Sequence, residues 1–366
     1  MLVHAAASCR LPIGALGALP LLACGASEPA APGPGSAGGP RAVAELPAHL
    51  FDTGLYADPG TLRVAADALP FEPQYPLWSD GALKRRWIRI PAGTSIDASR
   101  PECWVFPVGT MLWKEFRFER RVETRTMEQV APGEWRFASY LWNPEETEAV
   151  LAPERGARGA WVHGDGTPYD VPARADCRTC HQDRPHPVLG FTALQLSPDR
   201  DPLAPHAVAP PPGSVDLPSL VAGGWLTGLP REWLDAPPRI AARGPRERAV
   251  LGYLHSNCGS CHNRSGSLSN LGLALDYPLA CAPESVPTTA TCVDVPSQFR
   301  PAGPRPLLTR IVPGDPAASV LALRIGTRNP LVQMPPLATR VVDRLALELI
   351  EAWIREDLQA SPRSRP

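Results

Sequence analysis

The sequence predicts an α+β chain of several domains, in which an N-terminal antiparallel β-sandwich or barrel-like domain precedes a mainly α domain. Three observations carry this prediction. Residues 48–168 hold short alternating apolar runs parted by turn signals. From residue 169 onward the strands give way to proline-punctuated helical patterns. That second part also carries Cys-x-x-Cys-His twice, at Cys177–His181 and Cys258–His262. A chain of 366 residues has room for two or three domains, and 46 prolines with 30 glycines require many turns and irregular connections. A net charge of −1 leaves no electrostatic footprint for nucleic acid. Lysine occurs only as Lys84 and Lys114, arginine supplying the remaining cations.

Residues 1–23 read as a signal peptide. Arg10 precedes an apolar run, Leu11 to Ala23, too short to span a bilayer. The run ends Leu21-Leu22-Ala23-Cys24, which resembles the lipobox of bacterial lipoproteins. Cleavage before Cys24 and lipidation of its thiol are expected, with Gly/Pro/Ala-rich residues 24–47 as a flexible tether. The expected location is the cell envelope, on a periplasm-facing or outer-membrane lipoprotein held to the membrane by its lipid.

In residues 48–168 the expected strands are Arg85–Ile90, Trp104–Val108 with Trp104, Phe106 and Val108 on one face, Leu112–Phe118, Val122–Met127 and Trp135–Trp142. Pro91-Ala92-Gly93, Pro132-Gly133 and Gly164-Asp165-Gly166 mark turns between them. The tryptophans are expected in the core. His49, Asp80 and Glu123 keep aromatic company but have no spacing that demands a site.

Residues 169–244 form the segment with the first motif, and residues 245–366 the domain with the second. Pro245–Asn257 reads as a helix with proline at its first position. Asp315-Pro316 reads as the N-cap and first turn of a helix through Ile325. Val342, Leu345, Ala346, Leu349, Ile350, Trp353 and Ile354 give helical spacing to a final helix over Arg340–Leu358.

Cys-x-x-Cys-His is the attachment signature of c-type haem. Two thiols three positions apart lie on one helical turn and reach both vinyl groups of a porphyrin, and the adjacent histidine falls under the iron. The expected covalent positions are Cys177, Cys180, Cys258 and Cys261, and the proximal ligands are His181 and His262. Two haems are expected, one at minimum. A helix, the second motif, a long loop with Met334-Pro335-Pro336 and a terminal helix together resemble a class I cytochrome c domain, with Met334 as sixth ligand. No methionine lies between the two motifs. The sixth-ligand candidates for the first iron are His206, which has the reach, and His186, which is close and set between prolines. His163 is an outside candidate, and the iron is otherwise five-coordinate or the site degenerate. His255 is expected to cap or pack on its helix. Cys281 and Cys292 flank a Pro/Thr-rich loop and are expected to form a disulfide in an oxidising compartment. Cys103 is expected as a small buried apolar residue.

Tyr75-Pro76-Leu77-Trp78-Ser79-Asp80-Gly81, Phe106-Pro107-Val108-Gly109-Thr110, Val122-Glu123-Thr124-Arg125, Leu254-His255-Ser256-Asn257 and Val312-Pro313-Gly314-Asp315-Pro316 resemble stretches of a family of exported bacterial c-type haem proteins. In these a β-rich domain precedes a cytochrome c-like domain. The resemblance covers nearly the whole mature chain. It implies covalent haem and electron transfer with a redox partner protein, and it brings no substrate. Competing readings are a dihaem peroxidase, which needs one iron with an open position; a structural zinc site made of two Cys-x-x-Cys halves, against which the long gap and the export signal weigh; and a carbohydrate- or protein-binding role for the β-rich part. An electron carrier is favoured over an enzyme.

Overall fold

The structure, a computed structural model, describes residues 45–100, 103–181, 187–279, 287–300 and 308–358. All of these belong to one compact unit, Ala42–Pro366. Cys24, His186 and Cys281 lie outside the described residues. The fold is mixed, with a multi-strand antiparallel sheet and, among the described residues, seven α-helices.

In chain order come β1 (Tyr56–Asp58), β2 (Arg63–Val64), β3 (Leu69–Pro70), β4 (Leu83–Arg89), β5 (Ile96–Asp97), β6 (Met111–Arg117), β7 (Arg121–Ala131), β8 (Glu134–Trp142), β9 (Ala149–Leu151), β10 (Ala157–Val162) and β11 (Pro168–Val171). They are followed by α1 (Arg174–His181), α2 (Leu217–Ala222), β12 (Leu226–Thr227), α3 (Glu232–Asp235), α4 (Pro245–Asn257), α5 (Pro287–Cys292), α6 (Val320–Ile325) and α7 (Arg344–Ala352).

One six-stranded sheet, ordered β3-β4-β6-β7-β8-β9, carries the N-terminal half. Its alternation is two-sided. Ile88, Leu112, Met127 and Phe137 stand opposite one another and pack with Phe71, Trp104, Phe106, Val188 and Phe191. Trp87, Met111, Trp113, Ala138 and Tyr140 point to the other face, against Leu50, Leu55, Tyr56 and Trp142. Successive residues of a strand face opposite sides, so each strand supplies two cores.

Among the described residues the expected sandwich is not formed. The remaining strands there make two-stranded pairs, β1–β2, β10–β11 and parallel β5–β12, and loops with short helices cover the sheet instead. Val188, Phe191, Leu196 and Leu217, from the segment 169–244, complete the first core. Trp104–Val108 is not a strand. Trp104 and Phe106 enter the core, Val105 bridges Asp97, and Val108 is 48% exposed. Pro107 interrupts the run and removes a ladder donor.

The C-terminal half packs α4, α6 and α7 around Val250, Leu254, Leu275, Ile325, Ile350 and Trp353. The range Pro245–Asn257 agrees with the sequence reading. α6 starts later than expected, because Asp315 accepts the Ala318 N–H (3.1 Å) in a preceding turn. α7 also starts late. Asp343 is its cap and accepts from Ala346 N–H (3.1 Å), and a π-helical turn, Trp353–Asp357, extends the helix.

Tyr75–Gly81 joins the two halves. The Tyr75 ring lies so close to α4 that a Cβ at Gly252 would sit 2.0 Å from its Cε1. Trp78 N–H donates to Asn257 Oδ1 (2.7 Å) and Trp78 Nε1–H donates to the Val341 carbonyl (3.0 Å). Asp80, buried and at φ +53°, accepts from the backbone N–H groups of Arg340 (2.9 Å) and Val341 (3.0 Å).

Candidate functional site

The first motif lies on α1, which packs over β8. The Ala173 N–H donates to Asp176 Oδ2 (2.9 Å) and starts the helix. Cys177 and Cys180, three residues apart, share one helical face. Neither is in a disulfide, and Cys177 packs against the Phe137 core. Burial pushes the Cys177 thiol up, opposed by the Arg125 guanidinium. His181 stands 5.4 Å from the Phe137 ring, with Nδ1 2.7 Å from the Pro187 carbonyl. A carbonyl only accepts, so Nδ1 carries the proton and Nε2 is the nitrogen suited to a metal.

His206 lies at the N-terminus of α7. Its Nε2 is 2.8 and 2.9 Å from the two carboxylate oxygens of Asp343, and its ring lies 4.7 Å from Trp78. Nε2 is thus engaged with the cap of α7. His163 is different, with a buried Nε2 that has no hydrogen-bond partner and a ring 5.0 Å from Phe118.

The second motif follows α4 directly. Cys258 closes the helix by donating to the Leu254 carbonyl (2.9 Å), and His262 N–H turns back to the Cys258 carbonyl (2.8 Å). Gly259 is required because a Cβ there would lie 2.5 Å from the His255 carbonyl and 2.8 Å from the Asp276 Cα. The 275–277 segment is bound to the motif, with Leu275 N–H on the His262 carbonyl (2.8 Å) and Tyr277 N–H on His255 Nδ1 (3.0 Å). His255 therefore positions this segment. Burial, then the charges of Cys261 and Cys292, push the Cys258 thiol up to about 12.

His262 is buried, and its Nδ1 has no hydrogen-bond partner. Burial, then the charges of Arg324 and Arg310, lower its pKa and keep the ring neutral, the form that binds a metal. The Met334 N–H donates to the Arg324 carbonyl (2.9 Å), which holds the Met334 backbone to α6. Arg310 clamps the carbonyls of Leu271 (2.6 Å), Gly272 (2.8 Å) and Thr291 (2.6 Å) beside the motif.

Cys292 is a buried thiol, not a half-cystine, and the expected Cys281–Cys292 bridge is therefore not formed. Cys103 is the disulfide-bonded residue, and its partner lies outside the described residues. Spacing along the chain favoured the nearer pair, while folding sets Cys292 inside the helical core. His49 makes a surface pair with Glu148 (3.1 Å). Glu123, fully buried, accepts from Arg125 and from the Tyr169 hydroxyl (2.5 Å).

Both motifs fit covalent haem by their donor sets. Each joins two thiols and an imidazole on one turn, and His262 adds an orphaned nitrogen in a buried setting. Cys177 and Cys258, the first thiol of each pair, pack on different cores. Among the described residues no group of three or more His, Cys, Asp or Glu is arranged to hold a metal ion by itself. No helix among the described residues is long and apolar enough to cross a membrane. Comparison with protein-family models, with curated proteins and with solved structures finds no match to this chain.

Proposed function

We propose that this protein is a c-type cytochrome of the bacterial cell envelope, which carries electrons on haem held at Cys177/Cys180 and Cys258/Cys261. The observation that carries the reading is the second motif, where a buried imidazole with an unpartnered Nδ1 follows two thiols three positions apart at the end of α4. Covalent haem would supply one-electron chemistry at an iron whose potential the axial ligands and burial set. The chain's own part is to hold His262 neutral, to keep the 275–277 segment over the motif through His255 and to offer Met334 from the loop before α7. At the first motif, Pro187 fixes the His181 tautomer. The signal, the lipid on Cys24, the envelope location and a redox partner protein belong to the same reading.

Maturation in a host able to attach c-type haem, followed by a pyridine haemochrome spectrum and intact mass, tests it. Two covalent adducts are expected. A colourless protein with no mass gain overturns it. The commitment of His206 to Asp343 favours one second reading, in which the first iron keeps an open position and turns over peroxide. Peroxide-dependent oxidation of the reduced protein, lost on removing Cys177 and Cys180, is its test.

A further inference from the structure

We propose that Lys84 and Lys114 form a carboxylate-binding site on the sheet, which takes the propionates of the haem carried by Cys177 and Cys180. This rests on the cytochrome reading and extends it to the part of the first site that the motif does not encode.

The chain has only two lysines, and the sheet register makes them neighbours. Lys84 on β4 stands opposite Phe116, and Lys114 on β6 stands opposite Arg86, so the two lysines are diagonal partners on one face. Lys114 stands opposite Arg125 of β7, which stands opposite Ser139 of β8. A row of cations thus runs across the sheet from the strand under α1. Ser139 and Cys177 line one small cavity, which ties the row to the first thiol pair.

The carboxylates of this face are already used. Both oxygens of Glu72 accept from Arg86 Nη1 (2.7 and 2.8 Å). Glu123 accepts from Arg125 through both oxygens (2.5 and 3.0 Å), one of them shared with Tyr169. Among the described residues neither lysine ammonium has a hydrogen bond or an ion pair, and Lys114 has only the Phe116 ring, 5.0 Å away. Lys84 and Lys114 are therefore two half-buried ammonium groups on one face of the sheet, with no acid among the described residues bonded to either. A porphyrin presents two carboxylates, one for each. Burial is the first cause, and neighbouring cations the next, that holds both ammonium groups below the ordinary lysine range, to about 7 for Lys84. An unfilled anion site has that property.

Because only two lysines exist, an amine-acetylating reagent reads the site directly. In the matured holoprotein, Lys84 and Lys114 are expected to label at least tenfold more slowly than in the Cys177→Ala/Cys180→Ala protein. Holoprotein Lys84→Gln and Lys114→Gln should keep both covalent adducts while one haem shifts to a lower potential, since a nearby cation favours the reduced state. Equal labelling in native and denatured holoprotein, a comparison that needs no variant, overturns the site. Intact mass separates this from failure of the cytochrome reading. If no haem is attached at Cys177/Cys180, the propionate assignment falls with it. Protection of the same lysines by succinate or inorganic phosphate in that sample would then assign the site to a free oxyanion.

Discussion

The two motifs share five-residue spelling and differ in nearly everything around it. The first sits on a short helix laid over a sheet, with a partly exposed imidazole whose proton is fixed by Pro187, and with cations beyond. The second ends a long buried helix, with an unpartnered imidazole nitrogen and a thiol pushed up by burial. The lesson is that the thiol and imidazole spacing is written locally, while the surroundings of each motif come from distant chain. On the proposed cytochrome reading, a potential difference between the two haems would follow from that asymmetry.

The largest test of the contrast is Met334→Ala. It should leave both adducts in place and lower one potential by a sizeable part of the roughly 0.8 V that axial ligands command, and redox titration checks this. His206→Ala should move neither potential to that extent, and an equal effect would return His206 to the ligand set. Next, Asp80→Ala strips two backbone N–H groups of a buried charged acceptor. We expect a loss of about 2–4 kcal/mol in denaturant unfolding, shared by both halves because Asp80 sits on their seam. Gly259→Ala forces a Cβ against the 276 backbone and should cost about 1–3 kcal/mol, with little effect on the first adduct.

The smallest expected effect is a pH slope. Lys84 is depressed by burial and by Arg86 and Arg125, against the opposing pull of Glu72 and Asp343. Its folded pKa, about 7, lies below the unfolded value, so the unfolded chain binds the extra proton between these limits. Stability of the protein without its first haem should therefore rise as pH climbs from about 7 toward the ordinary lysine range. Lys84→Gln should flatten the rise, measured as Tm against pH.

Features written within a few residues were legible in the sequence. Alternation located β4, β6, β7 and β8 within a few residues, and Pro245 gave the start of α4. The motif thiols and imidazoles were visible by spacing. What was hidden depends on register and on long-range closure. Lys84 and Lys114 are separate facts until β4 pairs with β6. Asp80 looked like one more loop acid until its carboxylate met residues 340 and 341. The pairing of His206 with Asp343, 137 residues on, was likewise invisible along the chain. The two-sided sheet needs no second sheet because each strand buries both faces, and the alternation could not say what would cover them. Cys103 lost its apolar reading for a similar reason, since pairing of thiols follows the fold and not their separation along the chain. Peptide mapping without reduction should find Cys103 in a bridge and Cys292 outside any.

Met334 hangs between two moorings. Its own N–H is fastened to α6, and a few residues on, the chain is pinned to the Tyr75–Gly81 segment by Asp80 and Trp78. The strap between those points is short, so a shift of the sheet against the helices would be passed to the loop that carries Met334.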